Sequence, residues 1–144
     1  MTTNPTTTHQ SSSVLSENKI GTLVLEAAIK VHREMGPGLL ESVYETTLAY
    51  ELRKRGLIVA RQVPVEIRYD DLIFEEGFRA DIIVNELVIL ELKSVEQISR
   101  AHQKQLTTYL KLAGKKLGYL LNFGGATMKE GIQRIVNGLE EESR

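Results

Sequence analysis

The sequence predicts an α/β fold: a mixed β-sheet of about four strands flanked by helices. Three observations carry that expectation. Apolar residues recur at helical spacing near the start of the chain, at Ile20, Leu23, Val24, Ala27, Ala28 and Val31. Three extended, β-branched segments follow one another between residues 57 and 95, parted only by Asp70-Asp71 and Asn85-Glu86. A strand–helix–strand unit then fills residues 88–123, the arrangement that makes a right-handed parallel crossover.

Taken in order, the first 13 residues are rich in Thr and Ser with almost no apolar content, and residues 1–15 read as a disordered tail. The first helix is predicted over 16–35, with Ser16 as N-cap, Glu17 in the first turn and Gly36-Pro37-Gly38 as its stop. A second helix covers 39–55 and buries Val43, Tyr44, Thr47, Leu48 and Leu52. Arg53, Lys54 and Arg55 complement its dipole, and Gly56 is a natural residue to follow it. The extended segments are 57–69, 72–84 and 88–95. Their short connections imply antiparallel neighbours, and Gly77 implies a bulge or bend. A third helix spans 99–113, with Leu106, Leu110 and Ala113 inward and Gly114 ending it. A buried strand follows at 117–123, closed by Gly124-Gly125. A last helix is predicted over 128–138, with Ile132, Ile135 and Val136 inward, before an acidic tail, 140–144, that frays. The ordered part is one domain, 16–139, reading α-α-β-β-β-α-β-α.

Composition narrows the chemistry. A chain of 144 residues, 42% hydrophobic and 26% charged, suits one domain around one core. The absence of cysteine excludes disulfides, thiolate zinc sites and cysteine nucleophiles. Only His9, His32 and His102 are available, too few for a histidine-rich metal centre, so a bound metal would be a hard cation held by oxygen, Mg²⁺ or Mn²⁺. A net charge of -1 and a pI near 6.3 argue against a strongly basic, nonspecific nucleic-acid binder. A nucleic-acid role would rest on local patches, metal ions or a partner. No segment approaches the roughly 20 apolar residues that span a bilayer, and the N-terminus lacks a secretory pattern. A cytoplasmic protein without a membrane partner is expected.

The chemistry-bearing residues stand at the ends of two apolar runs. Ile82-Ile83-Val84 is preceded by Asp81, and Val88-Ile89-Leu90 is followed by Glu91-Leu92-Lys93. Charged groups placed against a core are costly unless paired or bound to a metal. Residues i and i+2 of a strand share a face roughly 6–7 Å apart, so Glu91 and Lys93 point the same way. The hairpin register decides where Asp81 lies. A two-residue loop, Asn85-Glu86, puts it on the opposite face from Glu91. A three-residue loop, 85–87, sets it directly across, with Cβ atoms about 4.5–5.5 Å apart. The odd loop, or a bulge with the same effect, is predicted. Carboxylates that near repel unless a cation lies between them. Asp81 and Glu91 would then hold a divalent metal, with the Leu92 carbonyl as a further oxygen ligand. Lys93 would orient an attacking water or stabilise charge on a phosphoryl group. The plainer alternative makes Glu91 and Lys93 a surface pair and Asp81 an edge residue; the apolar flanks count against it.

Asp81 with Glu91-Leu92-Lys93, in an α-β-β-β-α-β order over 39–123, resembles the PD-(D/E)xK phosphodiesterase core of restriction-endonuclease-like folds. Within that group, Gly38-Leu39-Leu40-Glu41-Ser42-Val43-Tyr44, preceded by Met35-Gly36-Pro37, resembles the string that names the GxxExxY proteins. The strand at 118–123, and Gly131-Ile132 with Arg134 and Asn137, are similar too, so the resemblance runs over about 20–137. Ala80 stands where the pattern begins with proline; the acid and lysine of the E-x-K are intact. The resemblance implies a Mg²⁺- or Mn²⁺-dependent nuclease acting on DNA or RNA. It makes Glu41 the upstream helical glutamate that joins Asp81 and Glu91 around the metal. Gln105 and Tyr109 resemble a Q-x-x-x-Y helix that positions substrate; they share a helix face, and His102 joins them three residues before Gln105.

Other roles stand beside these. Glu41 in a first helical turn favours the dipole by about 0.3–1 kcal/mol without any metal. Tyr44 suits the core, Tyr109 a packed site rim, His102 an exposed helix surface, and His32 a structural or solvated position. Arg53, Lys54 and Arg55, like Lys104, Lys111, Lys115 and Lys116, are either surface charge or phosphate contacts. Two readings compete with the hydrolase. One is a catalytically silent module that binds nucleic acid or a protein partner through the same groove; a homo-oligomer is a further partner expectation. The other is a structural protein with a buried salt-bridge network, which the intact acid–acid–lysine trio argues against.

Overall fold

The computed structural model describes residues 15–140. Of the predicted tails, residues 1–14 and 141–144 lie outside this range; Leu15, counted with the first tail, packs part of its side chain on the core. Helix α1 (Glu17–Met35) starts where the Ser16 hydroxyl accepts the Lys19 N–H at 3.2 Å. Helix α2 (Glu41–Lys54) follows a tight loop in which Gly36 and Gly38 take φ of 77° and 97°. Tyr44 secures that loop: its buried hydroxyl donates to the Gly36 carbonyl and accepts from the Leu39 N–H. The N-terminus of α2, and Glu41 with it, is fixed in this way.

Strands β1 (Val59–Tyr69), β2 (Leu72–Val84) and β3 (Val88–Lys93) form an antiparallel meander. Helix α3 (Arg100–Ala113) then carries the chain to β4 (Leu117–Asn122), parallel to β3. The sheet order is β1-β2-β3-β4-β5, with one strand more than the sequence predicts. Gly77 does mark an irregularity: pairing shifts between Val65–Phe78 and Ile67–Phe74, and a Cβ at Gly77 would overlap the Ile67 side chain.

The extra strand replaces the predicted C-terminal helix. Residues Lys129–Gly131 make one 3-10 turn, and β5 (Ile132–Val136) pairs antiparallel with β4. The helical reading set Ile132, Ile135 and Val136 on one face. Instead Ile132 packs on one side of the sheet, Ile135 on the other, and Val136 is exposed. Ile-Gln-Arg-Ile-Val is β-branched and short, and five residues fit both periods.

The sheet lies between two helical layers. Ile82, Val84, Val88, Leu90, Leu92 and Leu121 pack with α1 and α2, while Ile83, Ile89 and Leu120 pack with Leu106 and Leu110 of α3. The central strands are therefore apolar on both faces, and each such side chain contributes roughly 1.5–3 kcal/mol on burial. Where these two strands run out of apolar residues, the acids begin.

Candidate active site

The β2–β3 connection has the predicted three-residue loop. Val84 pairs with Val88, Ile83 with Ile89 and Ile82 with Leu90. Asn85 and Glu86 are left-handed, at φ of 51° and 58°, and the Leu87 N–H closes on the Val84 carbonyl at 2.9 Å. Asn85 is held by a two-way exchange with Ile58, its N–H to the Ile58 carbonyl and its side-chain oxygen to the Ile58 N–H, both at 2.8 Å. Carried one step further, this register sets Asp81 against Glu91.

Backbone pairing stops at Ile82–Leu90 and the side chains take over. The Asp81 N–H donates to Glu91 Oε2 at 3.0 Å, and the Leu92 N–H donates to Asp81 Oδ2 at 2.9 Å. The two carboxylates are thus hooked reciprocally across the fork where β2 and β3 part. Glu91 is only 5% exposed. Burial, and then the Asp81 charge, raise its carboxyl from 4.5 to about 8, against the opposing pull of the Asp81 N–H and of Lys93. Asp81, half-buried, is also raised, first by burial and then by the charges of Glu45 and Glu41, while the Leu92 N–H and Lys93 act the other way.

The structure brings most of the sequence-derived residues to this fork. Lys93 is half-buried one strand position beyond Leu92 and forms no ion pair among the described residues, although both acids feel its charge. Glu41 opens α2 and accepts the Ser94 N–H at 3.3 Å, while the Ser94 hydroxyl donates to the Leu39 carbonyl at 2.8 Å. These bonds dock the α2 N-terminus on the end of β3. Tyr109 on α3 stacks on Phe78 with ring centroids 3.8 Å apart, and its hydroxyl is raised by burial and then by the charges of Glu91 and Asp81. Gln105 is exposed one turn earlier on α3. His102 sits in the helix cap: its Nδ1 accepts the Ser99 N–H at 3.1 Å while the Ser99 hydroxyl accepts the His102 N–H.

Other residues have plainly structural surroundings. Buried His32 bonds the Gly125 carbonyl at 2.9 Å and stacks on Phe123. Arg53 donates to the Val59 carbonyl, and Lys54 and Arg55 pair with Glu51. Lys115 donates to the Glu86 carbonyl, and Lys104, Lys111 and Lys116 are exposed.

One acid beside the site was missed in the sequence. Glu45, one helical turn after Glu41, is 7% exposed and accepts from Arg61 Nε at 2.9 Å and Gln62 Nε2 at 2.8 Å. Its i, i+4 spacing from Glu41 was the available signal.

The donor set of the fork suits a hard divalent cation: two carboxylate groups, buried enough that one is raised to about 8, with oxygen atoms only. A third protein ligand is not gathered in place. Among the described residues no three His, Cys, Asp or Glu side chains lie close enough together to hold a metal ion. Also among the described residues, no helix is long and apolar enough to cross a membrane.

No curated protein and no solved structure shows a significant match to the chain. A family model does, described as the PD-(D/E)XK nuclease superfamily. It matches residues 18–135, from the first turn of α1 into the last strand, and the chain therefore belongs to that superfamily.

Proposed function

We propose that this protein is a divalent-metal-dependent phosphodiesterase acting on nucleic acid, of the GxxExxY type, working in the cytoplasm as a single domain of residues 16–139. One observation carries the reading: two carboxylates, Asp81 and Glu91, are hooked across a strand fork with a half-buried lysine beside them. Their like charges raise the cost of ionising both, a cost that a bound cation relieves. Membership of the superfamily supports the reaction class.

Asp81 and Glu91 would hold Mg²⁺ or Mn²⁺, with Glu41 swinging from Ser94 to complete the set. A bound cation supplies Lewis acidity toward a phosphodiester and makes water a stronger acid. Lys93 places an ammonium where it orients the attacking water or offsets negative charge on the phosphoryl oxygens. Gln105, Tyr109 and His102, on one face of α3, line the approach and position the substrate backbone. A catalytically silent module is the second reading, favoured by the absence of a gathered three-ligand cluster among the described residues. In that case the fork binds nucleic acid, a protein partner or a second copy without turnover.

The test incubates purified protein with labelled single- and double-stranded DNA and RNA in Mn²⁺, beside Glu91→Ala and Lys93→Ala. Cleavage lost in both variants supports the hydrolase. Cleavage unchanged in both means a contaminant and ends it. Calorimetric Mn²⁺ binding that vanishes in Asp81→Ala, without cleavage, selects the silent module.

A further inference from the structure

The register sets Asp81 against Glu91, but regular strand alternation does not carry β2 past that position. Residues two apart on a strand share a face. Ala80 and Ile82 are two apart, yet Ala80 packs in the α3 layer and Ile82 in the α1–α2 layer. Strand β2 therefore rolls over about Asp81. The same happens on β1: Arg61 reaches back to Glu45 on α2, while Val63, Val65 and Ile67 pack with the α3 layer. The two rolls coincide. Arg61 pairs with Ile82 and Val63 with Ala80, and the register skips the Gln62–Asp81 position between them.

Gln62 carries the cause. Its φ is 51°, a left-handed conformation that non-glycine residues adopt rarely and unfavourably. Adjacent strand residues normally point to opposite faces, yet Arg61 and Gln62 both bond the Glu45 carboxylate, one to each oxygen. The left-handed turn at Gln62 brings both side chains to it. Arg79 adds a third tie, donating to the Gln62 carbonyl at 3.1 Å. Beyond the roll, the hairpin leans on α3 and brings Phe78 onto Tyr109.

We propose that the left-handed turn at Gln62, held by Glu45, is the device that positions Asp81 in the fork. Glu45 and Gln62 are positioning residues; both Glu45 oxygens are engaged by β1 side chains. The inference deepens the metal-site reading, but its first test needs neither metal nor turnover. The reporter is the Leu92 amide, whose hydrogen bond exists only while the Asp81 carboxylate is in place.

Gln62 is exposed, so a role limited to the local surface predicts that substitutions there are silent. Valine resists positive φ and glycine accepts it. Amide exchange is measured by NMR on the metal-free full chain, with Ile83 and Ile89 amides as internal controls and thermal melting to verify the fold. Gln62→Val is expected to speed Leu92 exchange at least tenfold while the control amides stay put, and Gln62→Gly to change it less than threefold. No selective change in Gln62→Val overturns the proposal, as does an equal effect of both variants. Glu45→Gln provides a second arm, expected to speed Leu92 exchange; unchanged protection there would remove Glu45 from the device. Mn²⁺ calorimetry on the same variants then addresses the site: exchange effects without metal binding in the wild type would retain the positioning device and reject the metal reading.

Discussion

Burial and the neighbouring Asp81 raise the Glu91 carboxyl from 4.5 to about 8. Between those values the metal-free folded protein keeps a proton that the unfolded chain has released. The folded state binds more protons, so its stability falls as pH rises through that window and levels off above it. The total loss is on the order of a few kcal/mol. Urea titrations at pH 5 and pH 8.5 should show it, and Glu91→Gln should largely abolish the difference because its amide does not ionise. Magnesium should reverse the loss at pH 8.5 in the wild type, by about 2.7 kcal/mol at a hundredfold excess over its dissociation constant, and leave Glu91→Gln unmoved. A wild type equally stable at both pH values would mean that the carboxylates are better solvated than the fork geometry implies. At this scale the sequence was informative because Asp81 and Glu91 interrupt apolar runs, where a charge needs a reason. Glu45 gave no such signal: a glutamate in a helix reads as surface, and its burial depends on Arg61 and Gln62 arriving from a strand 16 and 17 residues away.

Helix α3 poses a choice at the level of the element. His102 closes a reciprocal cap with Ser99 at the helix start, while its spacing to Gln105 and Tyr109 predicts a substrate contact for the same ring. The two duties separate by measurement. Ser99→Ala and His102→Ala should each cost about 0.5–2 kcal/mol in denaturant titrations if the cap is what His102 supplies, with Mn²⁺ affinity unchanged. A His102→Ala variant of wild-type stability but weaker nucleic-acid binding would return the residue to the substrate path.

The edge strand β5 shows where sequence patterns fall short. Its five residues carry no period long enough to exclude a helix, and its identity is set by β4, which offers a row of backbone groups that must be paired. The 3-10 turn before it is equally constrained from outside. A Cβ at Gly131 would lie 2.3 Å from the Asn122 carbonyl oxygen. Asn122 in turn clamps Val95 through two hydrogen bonds, at 3.0 and 2.9 Å. Gly131→Ala should therefore destabilise the fold by roughly 1–3 kcal/mol, read from the urea midpoint, because backbone must move rather than a side-chain tip. The first four strands and all three helices were legible because long periodic stretches and capping residues agreed with one another. The contacts that fix β5 lie in other elements.

The whole molecule presents a charge problem to its proposed substrate. The net charge is -1, and Asp81 at the fork feels the negative charges of Glu45 and Glu41 as well as the positive charge of Lys93, while Arg61 pairs with Glu45. The Arg53, Lys54 and Arg55 cluster is engaged at the end of α2, and the exposed lysines elsewhere, Lys104, Lys111 and Lys116 among them, are offset by acids to a net charge of -1. On the proposed reading, attraction to nucleic acid comes largely through a divalent cation at the fork. Two consequences follow, both measurable by fluorescence anisotropy with labelled oligonucleotides in Ca²⁺, chosen to hold the site while slowing cleavage. Chelation with EDTA should weaken binding at least tenfold. In Ca²⁺, the logarithm of the affinity should fall with log[salt] at a slope of about -2 or shallower between 50 and 200 mM, since few phosphates are neutralised by side chains and each contributes roughly 0.7–0.9 to the slope. Binding that survives EDTA with a steep salt dependence would place the interface on the exposed lysines of α3 and its C-terminal turn, Lys104, Lys111 and Lys116, and away from the carboxylates.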